Sequence, residues 1–474
     1  MTKHVIIGGG PVATNAIETI RQFDDGAAEI TLVCDEPAHS RMALPYWLAG
    51  QVPREHTYTA DEASCQALGV EAKIGARATA VDTDARTVTL DDGSTLEFDN
   101  LLIATGASPA GLPIPGTDLE GVQALWSLEH TARLLEATEG IEKPRVTMVG
   151  AGFIGFIMLN AMYKRGWDLT VVERESQVLP RMLDADAASI VQDWLGTKKI
   201  AVHAGAGVEG IVEGDAGCKV VQLAGGESIE ADVVIVATGI QPNTELASAA
   251  GIDTDQGIVV DSRCQTSAAG IYAGGDVAQG PVLGGGDNEI HSIQPTAVDH
   301  GRIAGANMAG HDVEYPGSLS MNILDVCGLQ NASFGHWEDA NAEVVTISNP
   351  QDSIYRKLLF NGDRLTGAVF VGRANDLGML TDVGMAKGIM QTQTDLGSWR
   401  GFLAGNPFDI RRAYIATGVA ATLASTTLLG RPAQPRGFRF DGGEATTQVG
   451  AGHAVLVGTQ PTETANEPDD GDHG

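Results

Sequence analysis

Three glycine-rich turns in this sequence have the residue types and spacing needed to hold nucleotide phosphates. The first, Gly8-Gly9-Gly10-Pro11-Val12-Ala13, is a GxGxxA pattern that follows the apolar strand Val5 to Ile7. A side chain on Gly8 would block the tight turn, and one on Gly10 would keep the backbone away from a pyrophosphate. Ala13 lets the next helix pack close to the strand, and that helix directs its free N–H groups and positive dipole end at the phosphate.

An acid follows this turn at the spacing expected for a ribose ligand. A second apolar strand, Ile30 to Val33, ends before Asp35 and Glu36, whose carboxylates could accept hydrogen bonds from ribose hydroxyls. We predict Asp35 as the ribose ligand and Glu36 as a solvated surface acid. A GxGxxA match alone is also typical of an ordinary structural turn, but the acid favours a dinucleotide site.

The same plan is then repeated along the chain. Gly150-Ala151-Gly152-Phe153-Ile154-Gly155 is a full GxGxxG after the strand Val146 to Val149, and the next strand ends in Glu173. Each copy closes with an apolar strand that runs into Ala-Thr-Gly, at Thr105-Gly106 in the first copy and at Thr238-Gly239 in the second. Because turn, acid and Ala-Thr-Gly recur at matched spacing, we predict two dinucleotide sites in tandem.

The third turn, Gly274-Gly275-Asp276, ends a short apolar strand. Gly275 offers a backbone N–H to a phosphate, and Asp276 can accept from a hydroxyl. An ordinary turn with a capping Asp is the alternative. Downstream, Gln294 and Pro295 begin a predicted helix that runs to about residue 308, with its N-terminal dipole available to an anion.

Arg41 lies in the apolar segment His39 to Trp47, which we predict as an irregular loop near the first nucleotide. A cation beside a pyrophosphate has an electrostatic use. The other residues of this loop are equally compatible with ordinary core packing.

These patterns predict an α/β protein with two Rossmann-like three-layer dinucleotide-binding domains and a C-terminal α+β domain. Each of the two carries a small antiparallel flap, at residues 78–98 and 208–230. In the last domain we predict a hairpin at Asn361-Gly362-Asp363 and helices at residues 378–390 and 413–429. The predicted boundaries are 1–115 with 245–325, 116–244, 326–435, and an acidic, disordered tail at 436–474.

The composition narrows the classes of partner and compartment. The chain has 61 acidic and 30 basic residues, and its net charge of −31 repels nucleic acid and anionic membranes. Its 5 cysteines form no CxxC pair, which predicts neither a disulfide framework nor a metal site and favours a reducing cytoplasm. We expect no signal peptide, since a strand begins at once, and no membrane-spanning run.

Taken together, the motifs resemble those of the pyridine nucleotide–disulfide oxidoreductases, especially rubredoxin or ferredoxin reductases and the flavin part of NADH-dependent nitrite reductases. The resemblance covers roughly residues 1–400 and implies that the first dinucleotide-binding domain, for FAD, is interrupted by the second, for NADH. It implies that electrons pass from NADH to FAD, the reactive group, and then to a small redox protein or another electron-transfer subunit. It implies an FAD site at Gly8, Gly10, Ala13, Asp35, Arg41, Thr105, Gly106, Gly275, Asp276 and Gln294, and an NADH site at Gly150, Gly152, Gly155, Glu173 and Gly239.

Two departures from the family pattern keep alternatives open. Met42 stands where thiol-using members carry their reactive cysteine, and Ile157 stands where a Glu usually orients the nicotinamide. The alternatives are an NADH oxidase or quinone reductase, and a flavin-binding redox subunit with impaired NADH turnover. Glu173 would oppose a 2′-phosphate and favours NADH over NADPH, whereas Arg174 weakens that preference. Dimerisation through the last domain is implied by the resemblance alone.

Overall fold

The computed structural model describes residues 1–24, 26–425 and 428–429. Residues Met1–Ala420 form one compact unit. Among the described residues, no helix is both long and apolar enough to cross a lipid bilayer.

The first glycine turn lies at the carboxyl end of a parallel sheet. The elements of this part are β1 (Lys3–Ile7), α1 (Pro11–Asp24), β2 (Glu29–Cys34), β3 (Ala38–His39), α2 (Leu44–Leu48), β4 (Tyr58–Ala60), α3 (Glu62–Ala67), β5 (Val70–Ile74), β6 (Ala78–Asp82), β7 (Thr87–Leu90), β8 (Thr95–Glu97), β9 (Asn100–Ile103) and β10 (Ala107–Pro109). Strand β1 is central, between β2 and β9, because its β-branched residues are buried on both faces.

The second glycine turn lies at the same end of a second parallel sheet, ordered β11-β18-β12-β13-β14. The elements are β11 (Val122–Ala124), α4 (Leu128–Ala137), β12 (Arg145–Val149), α5 (Phe153–Lys164), β13 (Asp168–Glu173), α6 (Ala185–Thr197), β14 (Ala201–Ala204), β15 (Val208–Glu213), β16 (Lys219–Leu223), β17 (Ser228–Ala231), β18 (Val233–Val236), β19 (Ile240–Pro242) and α7 (Glu245–Ala249). The sheets β6-β7-β8 and β15-β16-β17 are antiparallel, which confirms both predicted flaps.

The chain then returns to the first sheet. The next elements are β20 (Ile258–Val259), β21 (Ile271–Ala273), β22 (Ala278–Gln279) and α8 (Gln294–Met308). Strand β21 pairs in parallel with β9, so the first sheet is completed after the second has been built. The predicted interruption of one dinucleotide-binding unit by the other is therefore confirmed.

Helix α8 packs very closely on α1 through two glycines. A Cβ on Gly301 would lie 2.4 Å from the carbonyl oxygen of Val12, and one on Gly305 would lie 2.7 Å from that of Ala16. Larger residues at these positions would force the helices apart. This contact fixes the start of α8 relative to the first glycine turn.

The last part is an antiparallel sheet covered by helices. Its elements are β23 (Met321–Val326), β24 (Leu329–Gly335), β25 (Glu343–Asn349), β26 (Ile354–Asn361), β27 (Arg364–Arg373), α9 (Leu377–Gln391), α10 (Ser398–Gly405), α11 (Ile410–Ala416) and α12 (Val419–Ser425). The strand order is β23-β24-β27-β26-β25. The hairpin at Gly362 and helix α9 are as predicted, while the sheet begins at Met321, before the predicted boundary at 326. The domain boundaries stay predictions.

Two predicted elements are wrong. The segment Ser40–Trp47 is a 3₁₀ turn followed by α2, because Leu44 and Leu48 are buried on one helical face. The single helix predicted from Ala413 to Leu429 is divided, because Gly418 adopts φ +74° and ends α11. The predicted acidic tail lies outside the described residues.

Candidate functional site

The first glycine turn has the geometry of a phosphate-binding turn. Gly8 has φ +109°, and a Cβ there would lie 2.1 Å from the carbonyl oxygen of Ala104, so no other residue fits. A Cβ on Gly10 would meet nothing within 4 Å, so the backbone at Gly10 faces open space. Ala13 is fully buried where α1 packs on the sheet. The structure thus leaves room for a ligand at Gly10 and none at Gly8.

The second glycine turn repeats this geometry. Gly150 has φ +106°, and a Cβ there would lie 2.4 Å from the carbonyl oxygen of Ala237, whereas the space at Gly152 is open. A Cβ on Gly155 would lie 2.9 Å from the sulfur of Met148, so the third glycine allows α5 to pack closely on β12. The three glycines have the separate roles that the motif predicts.

Glu173 lies against the second glycine turn. Its carboxylate accepts hydrogen bonds from the backbone N–H of Ala151 at 2.7 Å and from that of Glu175 at 2.9 Å. Carboxylate oxygens retain further lone pairs for ribose hydroxyls. The side chain of Arg174 is 83% exposed and pairs with Glu175 at 3.1 Å. An acid is therefore fixed beside the turn, as predicted.

Asp35 does not occupy the position in the first unit that Glu173 occupies in the second. The register of β1 with β2 and of β12 with β13 puts Cys34, rather than Asp35, at the position that Glu173 has in the second unit. Cys34 is buried, while the Asp35 side chain is 58% exposed and pairs with Arg77 at 2.9 Å. The role of Asp35 as a ribose ligand stays a prediction.

The third turn brings Asp276 towards Arg41, which is remote in sequence. Asp276 lies in a 3₁₀ turn, Gly275–Val277, and its Oδ2 is 3.9 Å from Nη1 of Arg41. Burial raises the pKa of Asp276, and Arg41 opposes that rise. The Arg41 guanidinium also stacks on Trp126, 4.4 Å from the ring centroid. A carboxylate and a stacked cation therefore meet beside the first unit.

The donors of Arg41 are incompletely used within the protein. Its Nε is buried without a hydrogen-bond partner among the described residues, and its Nη1 would lie 3.5 Å from a Cβ at Gly106. Gly106 has φ +66°, which favours glycine. A guanidinium with free donors fits a pyrophosphate, whose oxygens accept bidentate hydrogen bonds. Arg41 and the open face of Gly10 thus fit the pyrophosphate of FAD.

The two Ala-Thr-Gly motifs are joined through the short strands that follow them. Strands β10 and β19 pair antiparallel, and the Thr105 hydroxyl donates to the Asn243 carbonyl oxygen at 3.0 Å. The Asn243 amide donates in return to the carbonyl oxygen of Thr105 at 2.8 Å. The carbonyl oxygen of Gly239, a residue with φ +136°, accepts from the Ala110 N–H at 2.9 Å. The ends of both closing strands are therefore connected.

The backbone N–H of Gly275 donates to Nδ1 of buried His300 at 3.3 Å. The role of Gly275 as a phosphate ligand stays a prediction. Gln294 is as predicted: it begins α8, with Pro295 next, and both residues are exposed. The N-terminus of α8 is thus accessible.

Met42 and Ile157 line one groove of about 200 Å³ between α2, α5 and β23. Tyr46, 54% exposed, lies on the same groove, and so do Asn160 and Lys164. Met42 and Ile157, the two residues that depart from the family pattern, therefore lie on the same groove. The groove has a mixed lining, with Met42 and Ile157 on one part and Gln51 and Asp325 on another.

Three residues of the site carried no usable sequence signal. Trp126 supports Arg41, Asn243 joins the closing strands, and His300 holds Gly275. None belongs to a glycine motif, and each meets its partner only through the tertiary fold.

Comparison with known proteins agrees with this geometry. The family model for pyridine nucleotide-disulphide oxidoreductases matches residues 2–301, and that for the rubredoxin NAD+ reductase C-terminal domain matches residues 321–382. NADH-dependent phenylglyoxylate dehydrogenase subunit epsilon of Aromatoleum evansii is 31% identical over 87% of this chain and 96% of that protein. The ferredoxin–NAD(+) reductase component of the anthranilate 1,2-dioxygenase system of Burkholderia cepacia is 33% identical over 79% of this chain and 92% of that protein.

Two further relatives are matched over only about half of their length, and a solved structure shares the fold at low sequence identity. The chain spans 48% and 46% of two longer Bacillus subtilis relatives, an assimilatory nitrate reductase electron transfer subunit and a nitrite reductase. A solved putidaredoxin reductase–putidaredoxin complex has a chain with the same fold, with a TM-score of 0.78 at 23% identity over 88% of this chain and 99% of that chain. The chain belongs to the pyridine nucleotide-disulphide oxidoreductase family.

Proposed function

We propose that this protein is an FAD-dependent NADH oxidoreductase that delivers electrons to a protein partner, either a small redox protein of the rubredoxin or ferredoxin kind or another electron-transfer subunit. FAD and NADH are the cofactors of its family. When bound, FAD supplies a centre that takes up a hydride and releases electrons. The site residues assigned to each dinucleotide are part of this proposal.

One observation carries the proposal: two glycine turns lie on two parallel sheets, each turn has an open face at the second glycine position of its motif, and the sheets are joined by the strand pair β10–β19. Gly10 and Gly152 each face open space, and β10 pairs with β19 between the two sheets. Arg41 supplies positive charge on one side, and Glu173 supplies a fixed acid on the other. The arrangement supports binding of two dinucleotides by a single chain.

Two buried cysteines, Cys34 and Cys327, are poorly suited to thiol chemistry. Burial raises the pKa of Cys34 to about 11 and that of Cys327 to about 12, so both remain protonated at neutral pH. Met42 occupies the position at which related enzymes would carry a reactive cysteine. Electron transfer to a partner therefore fits the chain better than disulfide reduction.

The relatives support a protein partner. A ferredoxin reductase component and a subunit of a dehydrogenase complex are both similar over nearly their full lengths. A homodimer formed through the last domain is part of the proposal, and so is a cytoplasmic location.

The groove at Met42, Tyr46 and Ile157 favours a second candidate, direct transfer to oxygen or a quinone, because its volume of about 200 Å³ suits a small acceptor. An acceptor panel separates the two. Purified protein reconstituted with FAD is supplied with NADH or NADPH and, in turn, oxygen, a soluble quinone, a rubredoxin or a ferredoxin. Rapid NADH oxidation only with a redox protein supports the proposal, whereas fast turnover with oxygen or quinone alone favours the second candidate. No turnover with any acceptor contradicts both.

A further inference from the structure

We infer that His300 is a positioning residue for the FAD site, where it acts through the turn that carries Asp276. This inference rests on the proposed function only in that the chain binds FAD. His300 lies on α8, outside every glycine motif, and its side chain is almost completely buried.

The contact that supports this role is a single hydrogen bond to the third turn. The Gly275 N–H is the first donor of the 3₁₀ turn Gly275–Val277, and a helical turn leaves such donors without intrahelical partners. His300 Nδ1 accepts this hydrogen bond at 3.3 Å. A side chain from a neighbouring helix thus caps the turn, and the next residue along the chain is Asp276.

The turn is held tightly from both sides. A Cβ on Gly274 would lie 3.0 Å from Cβ of His300 and 3.0 Å from Cγ1 of Val12, and one on Gly275 would lie 2.7 Å from Cγ2 of Val12. Gly275 has φ +76°, which other residues rarely adopt. The turn therefore has little freedom to find another partner for the Gly275 N–H if the imidazole is removed.

The hydrogen bond from Gly275 requires one particular tautomer of the His300 imidazole. To accept from Gly275, Nδ1 must be unprotonated, so the proton of the neutral imidazole lies on Nε2. The ring packs edge-on against Tyr315, with 5.0 Å between centroids, and His291 is a second titratable neighbour. Nε2 of His300 is buried without a hydrogen-bond partner among the described residues. Burial among these groups favours the neutral imidazole. His300 is therefore a permanent acceptor at neutral pH.

Through Gly275, this acceptor fixes Asp276 opposite Arg41. Asp276 Oδ2 lies 3.9 Å from Arg41 Nη1, and both side chains are proposed to hold FAD. Loss of the acceptor leaves a buried N–H unpaired, which costs the desolvation of that group. The turn then relaxes, and FAD binding is expected to weaken although no residue that touches it has been changed.

The test compares two substitutions in the holoprotein. His300→Asn retains an oxygen acceptor near the place of Nδ1, and His300→Leu retains bulk without an acceptor. Dilution of each holoprotein, followed by the fluorescence of released FAD, gives the FAD Kd. We expect His300→Leu to raise this Kd about 5-fold to 100-fold and His300→Asn to recover most of the loss.

A packing control separates positioning from general destabilisation. Ile303→Ala removes buried volume one turn further along α8. It should lower the melting temperature with little change in the FAD Kd. Equal Kd values for His300→Leu and wild type, or equal losses for His300→Leu and His300→Asn, would overturn the inference. A colourless wild-type protein would instead refute the proposed function.

A second measurement is made on the wild-type protein and therefore does not depend on whether a variant folds. The ¹⁵N spectrum of histidine-labelled wild-type protein reports which ring nitrogen of His300 carries the proton. We expect protonated Nε2 and unprotonated Nδ1 at neutral pH. Protonation at Nδ1 overturns the inference, because a protonated nitrogen cannot accept from Gly275.

Discussion

The backbone N–H of Ala151 donates a hydrogen bond of 2.7 Å to Oε2 of Glu173, in the middle of the second glycine turn. This contact fixes a carboxylate beside the place where the phosphates and ribose of a dinucleotide are expected. A fixed negative charge there accepts from ribose hydroxyls and repels a 2′-phosphate. The relationship therefore bears directly on the choice between NADH and NADPH.

Replacement of this acid should weaken NADH selectively. We expect Glu173→Ala to raise the KM for NADH roughly 10-fold to 100-fold, since charged hydrogen bonds contribute about 1.5–3 kcal/mol, and to affect NADPH less. Glu175→Ala is the matched control, because the Glu175 side chain pairs only with exposed Arg174 among the contacts described here. Equal losses with NADH and NADPH in the Glu173 variant would argue against this role.

The glycines of the first turn should respond differently to the same substitution. Gly8→Ala introduces a clash with the Ala104 carbonyl at φ +109°, so we expect the free energy of unfolding to fall by about 2 kcal/mol or more. Gly10→Ala meets open space and should change apoprotein stability by less than about 1 kcal/mol while raising the FAD Kd at least about tenfold. Urea unfolding and FAD fluorescence measure the two effects. Normal FAD binding by Gly10→Ala would show that the pyrophosphate lies elsewhere.

The glycine turns could be predicted from sequence because their requirements are local. Positive φ at Gly8 and Gly150 and the open faces of Gly10 and Gly152 follow from one short motif each. The presence of two such units followed from the repeat of the motifs. These features depend on neighbours in the chain, which the sequence displays.

Features that depend on the tertiary fold could not be predicted. The stacking of Arg41 on Trp126 and the hydrogen bond of His300 to Gly275 join segments that are distant along the chain. A difference of one residue in register separates Asp35 from the position matching Glu173, and such a difference is invisible in a spacing of about twenty-five residues. Gly418 ended a helix that alanine and threonine content alone suggested would continue.

Arg41 should be necessary for tight binding of FAD. We expect Arg41→Met to raise the FAD Kd about 10-fold to 100-fold, because a cation with free donors no longer meets the pyrophosphate. Arg54→Met is the matched control, since Arg54 also lies over a tryptophan, Trp47, at 5.6 Å from the ring centroid. A similar change in both variants would indicate general loss of packing.

The residue at position 157 should limit the rate of flavin reduction. We expect Ile157→Glu to increase this rate about tenfold, equivalent to about 1.4 kcal/mol, because a carboxylate there can accept from the nicotinamide amide. Ile157→Leu retains an apolar side chain in the groove and should leave the rate unchanged. Single-turnover mixing with NADH measures both variants. An unchanged rate in Ile157→Glu would mean that the nicotinamide is oriented by other residues.

His300 should make stability depend on pH. Burial lowers its pKa to about 4, with His291 adding to the effect, whereas the unfolded value is about 6.5. A lowered folded-state pKa means that stability is complete above the unfolded pKa and is lost as pH falls towards the folded one. Between pH 7 and pH 5, wild type should lose about 2 kcal/mol more than His300→Asn in urea unfolding with saturating FAD. Parallel pH profiles would contradict a buried neutral imidazole.

Anaerobic stopped-flow mixing of the FAD-loaded protein with NADH tests most directly whether one chain holds both dinucleotides and passes electrons between them. We expect the absorbance at about 450 nm, which is typical of oxidised flavin, to decrease in the wild type. Gly152→Ala, which fills the open face of the second turn, should slow this decrease while FAD remains bound. Wild-type absorbance that stays unchanged with NADH would contradict the proposed function.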